Sequence, residues 1–127
     1  MGTGMDAENP VLTKSFNFAI RIVNLHKHLA NKQKEYVLSK QLLRSGTSIG
    51  ANINEAQAAQ TKADFIAKVS IASKEARETE YWIRLLTETH YLDPSKEYVD
   101  SLLQESKALS KMLTSIVKTA QMNKQKE

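Results

Sequence analysis

From Phe18 onward the apolar positions recur at Ile22, Leu25 and Leu29, steps of four, three and four that lie along one face of an α-helix. Phe16, Ile20 and Val23 widen the stripe, and the spacing predicts a first helix over about residues 12–30. Asn31, Lys32, Gln33 and Lys34 interrupt it. The pattern resumes through Leu42, Gly46, Ile49, Ile53 and Ala56, predicting a second helix over about 39–59 with Ser39 as its N-cap. Thr61 followed three residues later by Asp64 resembles a capping box with a shortened acid. It opens a heptad through Phe65, Val69, Ala72, Ala76, Thr79, Ile83 and Leu86, a third helix over about 62–90. Asp93 and Pro94 read as an N-cap and a first-turn proline, and Leu102, Leu109, Leu113, Ile116 and Ala120 mark a fourth helix ending near 121.

No β-rich run competes with these segments, and connections so short force neighbouring helices to run antiparallel. The fold class expected is therefore all-α, an antiparallel up-down-up-down four-helix bundle over residues 12–121. Residues 1–11, with a second methionine at Met5, read as a flexible lead carrying a cloning remnant, and the polar tail 122–127 as a frayed end.

A chain of 127 residues suits one domain, which at this size buries roughly two thirds of its unfolded surface. The absence of cysteine removes disulfides, thiolate metal sites and a cysteine nucleophile, which suits a reducing compartment. No apolar run approaches the roughly 20 residues of a membrane span, the N-terminus lacks the apolar core of a signal peptide, and Asp6 spoils a myristoylation pattern at Gly2. These features predict a soluble cytoplasmic protein without a membrane partner. Eighteen Lys and Arg against fourteen Asp and Glu leave a net charge of +4, which favours an anionic partner only if the cations cluster.

The stretch GTSIG at 46–50 spells GxSxG, the pattern of a hydrolase nucleophile elbow with Ser48 as attacking hydroxyl. An elbow needs a buried strand before it and a parallel sheet to hold it, and YVLSKQLLRS at 36–45 reads instead as a helix start. A glycine inside a helix costs about 1 kcal/mol relative to alanine, so two of them call for a packing reason. Reflecting the second helix onto the third about the loop near 61 sets Gly50 opposite Ala72 and Gly46 opposite Ala76, and predicts a close small-on-small seam between those helices. The same reflection brings Arg44 near Glu78 and Glu55 near Lys68. Gln41, Arg44, Ser48, Asn52 and Glu55 form a polar stripe beside the apolar one, either a solvated face or an interface.

Chemistry is otherwise sparse. The residues three before His26, His28 and His90 are Val23, Leu25 and Thr87, so the Glu-x-x-His pairs of di-metal bundles are missing. No phosphate-cradling glycine loop occurs, and the carboxylates Glu75, Glu78 and Glu80 interleave with Lys74, Arg77 and Arg84 as ordinary helix pairs. The expectation is no catalytic residue, no metal and no cofactor. Candidate basic surface comes from Lys107, Lys111 and Lys118 on the fourth helix, Lys14 and Arg21 on the first, and Lys40 and Arg44 on the second. Trp82 sits on a flank with Ile71 and Leu85, which could give the third helix a second apolar surface for oligomerisation.

The stretches QLLRSGTSIGANINEA at 41–56, ADFIAKVSIASKEARETEYWIRLL at 63–86 and KML at 111–113 resemble the small four-helix-bundle proteins encoded by intervening sequences within bacterial large-subunit ribosomal RNA genes. Leu43 and Ala56 depart from the usual QLRRA and NIAEG variants of that pattern. The resemblance implies an antiparallel bundle assembling as a homo-oligomer, typically a homopentamer. It extends to the accessory variability determinants of diversity-generating retroelements, whose pentamers bind a reverse transcriptase and nucleic acid through basic surfaces. Arg44, Asn52 and Glu55, and on the third helix Glu78, Glu80 and Trp82, fall in the matching segments, and Asn52, Glu80 and Trp82 become candidate interface residues. Two functions follow: a non-enzymatic oligomer binding RNA or a nucleic-acid-associated protein, or a protein-binding adaptor with no nucleic-acid contact.

Overall fold

The computed structural model of the protein describes residues 9–126, with side chains as far as Asn123, so the first eight residues of the expected lead lie outside the described residues. Four helices make up the fold: α1 (Pro10–Asn31), α2 (Leu38–Ala56), α3 (Lys62–Glu88) and α4 (Glu97–Lys126), with no strand among the described residues.

Each boundary has a local cause. Pro10 starts α1, since its missing N–H falls where a helix has no acceptor to offer. At α2 the expected cap is corrected. Ser39 lies buried in the first turn, and the carboxylate of Glu35 accepts the free amides of Leu38 (3.1 Å) and Ser39 (2.7 Å). A carboxylate four residues upstream reaches those amides because Lys34 turns the chain through a left-handed conformation (φ 58°). Thr61 caps α3 as its sequence suggests, its hydroxyl accepting the Asp64 amide at 3.0 Å. The end of α3 is closed by His90 in the left-handed region (φ 70°), which lets the Tyr91 amide reach back to the Leu86 carbonyl at 2.9 Å. Asp93 and Pro94 precede α4 without capping it: Asp93 Oδ1 accepts from the Ser95 amide and hydroxyl, and the helix begins at Glu97. α4 also continues to Lys126, past the predicted stop near 121, since the Met, Gln and Lys that follow are good helix formers with no breaker among them.

Cross-helix pairs fix the directions. Arg44 meets Glu78 while Glu55 meets Lys68, so numbering rises along α2 as it falls along α3. On the other side His26 Nδ1 lies 3.2 Å from the Ser39 carbonyl and Asn9 Nδ2 donates to Gln57 Oε1 at 3.1 Å, which makes α1 antiparallel to α2. Arg21 ties α1 to α4 through Glu105, the Ser101 hydroxyl (3.0 Å) and the Tyr98 carbonyl (3.3 Å). The core is the set the periodicity marks: Phe18, Ile22, Leu25 and Leu29 from α1, Leu42, Ile49 and Ile53 from α2, Val69, Ile83 and Leu86 from α3, and Leu102, Leu109 and Leu113 from α4. Phe16 and Ile20 are corrected: they do not widen the buried stripe but stand 66% and 47% exposed.

The glycine seam is corrected as well. A Cβ on Gly46 would come 2.8 Å from both γ-carbons of Ile22, and one on Gly50 would come 3.3 Å from the Ser15 carbonyl oxygen. Both contacts belong to α1, so the glycines serve the approach of α2 to α1 rather than to α3. Ala72 and Ala76 are fully buried in the core of α3, and the seam between α2 and α3 is bridged instead by the Ser45 and Thr79 hydroxyls, 3.0 Å apart.

Candidate nucleic-acid interface

α3 carries five cations and five carboxylates, and its two flanks use them differently. On the flank toward α2, Arg44 bonds Glu78 and Glu75 together, the latter at 3.3 Å, and Lys68 lies 3.1 Å from Glu55. The Trp82 indole donates to the same Glu78 carboxylate at 3.0 Å. That hydrogen bond is the main cause holding Glu78 below the usual glutamate range; burial opposes it and Arg44 reinforces it. Burial works against the Arg44 charge, but Glu78 and then Glu75 outweigh it and raise its pKa. Arg44, Glu75, Glu78, Lys68 and Glu55 are thus all answered within the chain.

The flank toward α4 is different. Ser73 Oγ and Thr114 Oγ1 meet at 3.2 Å across the seam, and around them lie Ser70, Lys74, Arg77, Lys118 and Gln121. They line an open groove of about 320 Å³ with no carboxylate in its wall. None of Lys74, Arg77 and Lys118 is paired with a carboxylate of the described residues. Glu80 stands one turn beyond Arg77, outside the lining. Along α4 the carboxylates Glu97, Asp100 and Glu105 all precede Lys107, Lys111 and Lys118, so the helix is acidic at its start and basic beyond. Those three lysines are exposed on one outer face, at steps of four and seven. Tyr81, exposed and one turn from Arg77, presents an aromatic ring beside the same cations, braced edge-on by Trp82 at 5.1 Å between centroids.

The seven cations expected to form basic surface are thus divided. Arg21 and Arg44 are consumed by ion pairs, Lys14 and Lys40 are exposed at opposite ends of the α1–α2 pair, and Lys107, Lys111 and Lys118 share a face. Lys74 and Arg77 belong with that face although their sequence context, interleaved with carboxylates, suggested helix pairing. The helical wheel of α3 alone could not have separated them, since Lys74 and Glu78 stand four residues apart on one face and Arg77 and Glu80 three; the separation comes from Arg44 and Trp82, which engage Glu78 on the side toward α2. Of the candidate interface residues, Asn52 is half-buried and donates to the Ser48 carbonyl at 2.8 Å, Trp82 is half-buried against Glu78, and Glu80 has no partner among the described residues. Ser48, the would-be nucleophile, donates to the Arg44 carbonyl at 2.6 Å within a continuous helix, with no elbow around it. No cluster of three His, Asp or Glu suited to a metal occurs among the described residues, and no described helix is long and apolar enough to cross a membrane.

The fold is thus an all-α four-helix bundle in which α3 pairs its charges toward α2 and leaves Lys74 and Arg77 without an ion-pair partner among the described residues. The chain belongs to the 23S rRNA-intervening sequence protein family, whose model matches residues 7–115. It is also similar to a protein of unknown function from the S23 ribosomal protein family of Bacteroides thetaiotaomicron, whose crystal structure superimposes with a TM-score of 0.81 at 57% identity, covering 85% of this chain and 98% of that one. No curated protein is similar enough to add to these two findings.

Proposed function

We propose that the protein is a non-enzymatic, self-associating binding protein of the cytoplasm that holds RNA through the α3–α4 face. The observation that carries this reading is the sorting of charge: cations toward α2 are matched, whereas Lys74, Arg77, Lys107, Lys111 and Lys118 are exposed without a carboxylate partner among the described residues. Counter-ions released from a phosphate backbone reward such a face, and Tyr81 adds a ring on which an unpaired base can stack. Self-association is supported by a second surface. Leu12, Phe16 and Ala19 of α1 with Gly50 and Ala51 of α2 line an apolar groove of about 560 Å³, and an exposed phenylalanine on its edge gains by being covered. A ring of five, the homopentamer expected from the resemblance, would gather a charge of about +20 and multiply a modest patch.

Fluorescence anisotropy with a labelled single-stranded RNA tests the first part. Affinity should fall steeply with salt, and reversing Lys107, Lys111 and Lys118 to Glu together should abolish binding while helicity by circular dichroism is retained. Salt-independent binding, or binding that survives the triple reversal, overturns it. Sedimentation velocity tests the second: Phe16→Asp should lower the assembled mass, and a wild-type monomer at all concentrations would overturn self-association. The same apolar groove favours one rival, a protein-binding adaptor that docks a partner helix there. In that case affinity capture returns a protein partner, Phe16→Asp loses it, and no nucleic acid is recovered.

A further inference from the structure

We infer that the groove between α3 and α4 seats the terminal phosphate of an RNA strand, a dianion, in preference to an internal phosphodiester. This deepens the RNA-binding reading and rests on it. Four grooves among the described residues can be compared by charge. The one between α1 and α2 has no charged lining residue. The one between α1 and α4 contains Arg21, already bonded to Glu105. The one near the α3–α4 loop sets Arg84 beside Glu88 and Asp100. Of these four, the groove of Ser70, Ser73, Lys74, Arg77, Thr114, Lys118 and Gln121 combines three cations that have no ion-pair partner among the described residues with a wall free of carboxylates.

Its layout suits a compact anion. The Ser73–Thr114 bridge is half-buried and makes the floor, while the exposed Lys74, Arg77 and Lys118 make the rim from two helices. Thr114 donates its proton to the Ser110 carbonyl at 2.8 Å, so Ser73 is the donor of the bridge and can turn that proton to a ligand instead. Ser70 Oγ has no partner among the described residues, and Gln121 adds an amide donor. Three cations with hydroxyl and amide donors match a group with three oxygens and a charge of about −1.5 to −2 better than a diester with one charge and two free oxygens. The forked guanidinium of Arg77 can take two of those oxygens at once. Beyond the groove, the lysines of α4 and the ring of Tyr81 continue along the same face, where the rest of a strand would run.

A 5′-phosphate and a 3′-phosphate share this chemistry, so three oligonucleotides of one sequence are compared by anisotropy: 5′-phosphorylated, 3′-phosphorylated, and hydroxyl at both ends. One phosphorylated end should bind about tenfold more tightly than the hydroxyl form at pH 7.5, and the identity of that end names the source. The advantage should shrink below about pH 6, where a phosphate monoester takes up its second proton and a diester does not. Arg77→Gln and Lys74→Gln should erase the advantage, whereas Lys107→Gln should weaken all three oligonucleotides by a common factor. Glu80→Gln, which removes a carboxylate one turn from Arg77, should raise it. Equal binding of all three within twofold overturns the terminal-phosphate seat and leaves RNA binding standing. A preference that persists in Arg77→Gln overturns the assignment to this groove, and failure of all three to bind overturns both readings.

Discussion

The two flanks of α3 use the same residue types to opposite ends. Toward α2, Arg44 lies between Glu75 and Glu78, and Glu78 is further held by the Trp82 indole, so charge is spent on fixing one helix against another. Toward α4, Lys74 and Arg77 face hydroxyls and a third cation, and their charge remains available to a ligand. Ion pairs this exposed contribute only about 0 to 1 kcal/mol each. The difference therefore concerns function more than stability: a carboxylate beside a cation removes it from the pool that can bind an anion, whatever the pair adds to folding.

Four measurements bear on that contrast, the largest expected effect first. α2 presents its polar flank to α3 because its opposite flank lies close on α1. Gly46→Leu should destroy that arrangement, since even a Cβ would stand 2.8 Å from Ile22. The expected loss is about 3 kcal/mol, roughly a 10 °C fall in melting temperature, with the Arg44 pairs lost alongside. Gly50→Ala is expected to be much milder, because its 3.3 Å contact with the Ser15 carbonyl is offset by the better helix propensity of alanine. A melting temperature unchanged by Gly46→Leu would refute the close seam.

Removing one arginine from each flank should separate the roles. Arg44→Ala is expected to lower stability by about 0.5 to 1 kcal/mol and leave RNA affinity unchanged. Arg77→Ala should leave the melting temperature within about 2 °C and reduce the salt slope of RNA binding by about 0.7. Identical behaviour of the two variants would erase the distinction between the flanks.

Acid titration tests the paired flank more finely. The folded-state pKa of Glu78 is depressed, so its contribution is complete above the unfolded value, near 4.5, and is lost as pH falls through the folded value. In Glu78→Gln the stability lost between pH 4.5 and the acid limit should be smaller than in the wild type, and tryptophan fluorescence, reporting Trp82, should lose its acid-dependent step. The smallest effect belongs to Ser48→Ala. Its hydroxyl bonds only the Arg44 carbonyl of its own helix, so stability should change by less than about 0.5 kcal/mol and binding not at all.

Much of this was legible before any coordinates. Reflecting α2 on α3 about the loop placed Arg44 with Glu78 and Glu55 with Lys68, since two antiparallel rods joined by a short turn have little freedom to slip. The same operation misplaced the glycines. It sets both glycines of α2 against α3, whereas Gly46 and Gly50 lie on the flank that meets α1. Phe16 and Ile20 were read as core for a related reason: a widened stripe in a helix is equally an inward face and an outward patch beside it.

Helical periodicity, caps and breakers determined by themselves that four rods form, where each begins within a few residues, and which face of each is buried, because these are set by contacts within a turn or two of chain and by the removal of apolar groups from water. Which neighbour each remaining flank meets was decided only in three dimensions. A bundle and its mirror-handed counterpart bury the same stripes while exchanging the partners of every flank, and the choice rests on loop geometry such as the left-handed turns at Lys34 and His90 and on the closeness allowed at Gly46. That choice brings Lys74 and Arg77 of α3 to one groove with Lys118 of α4, the groove in which an anion is proposed to sit.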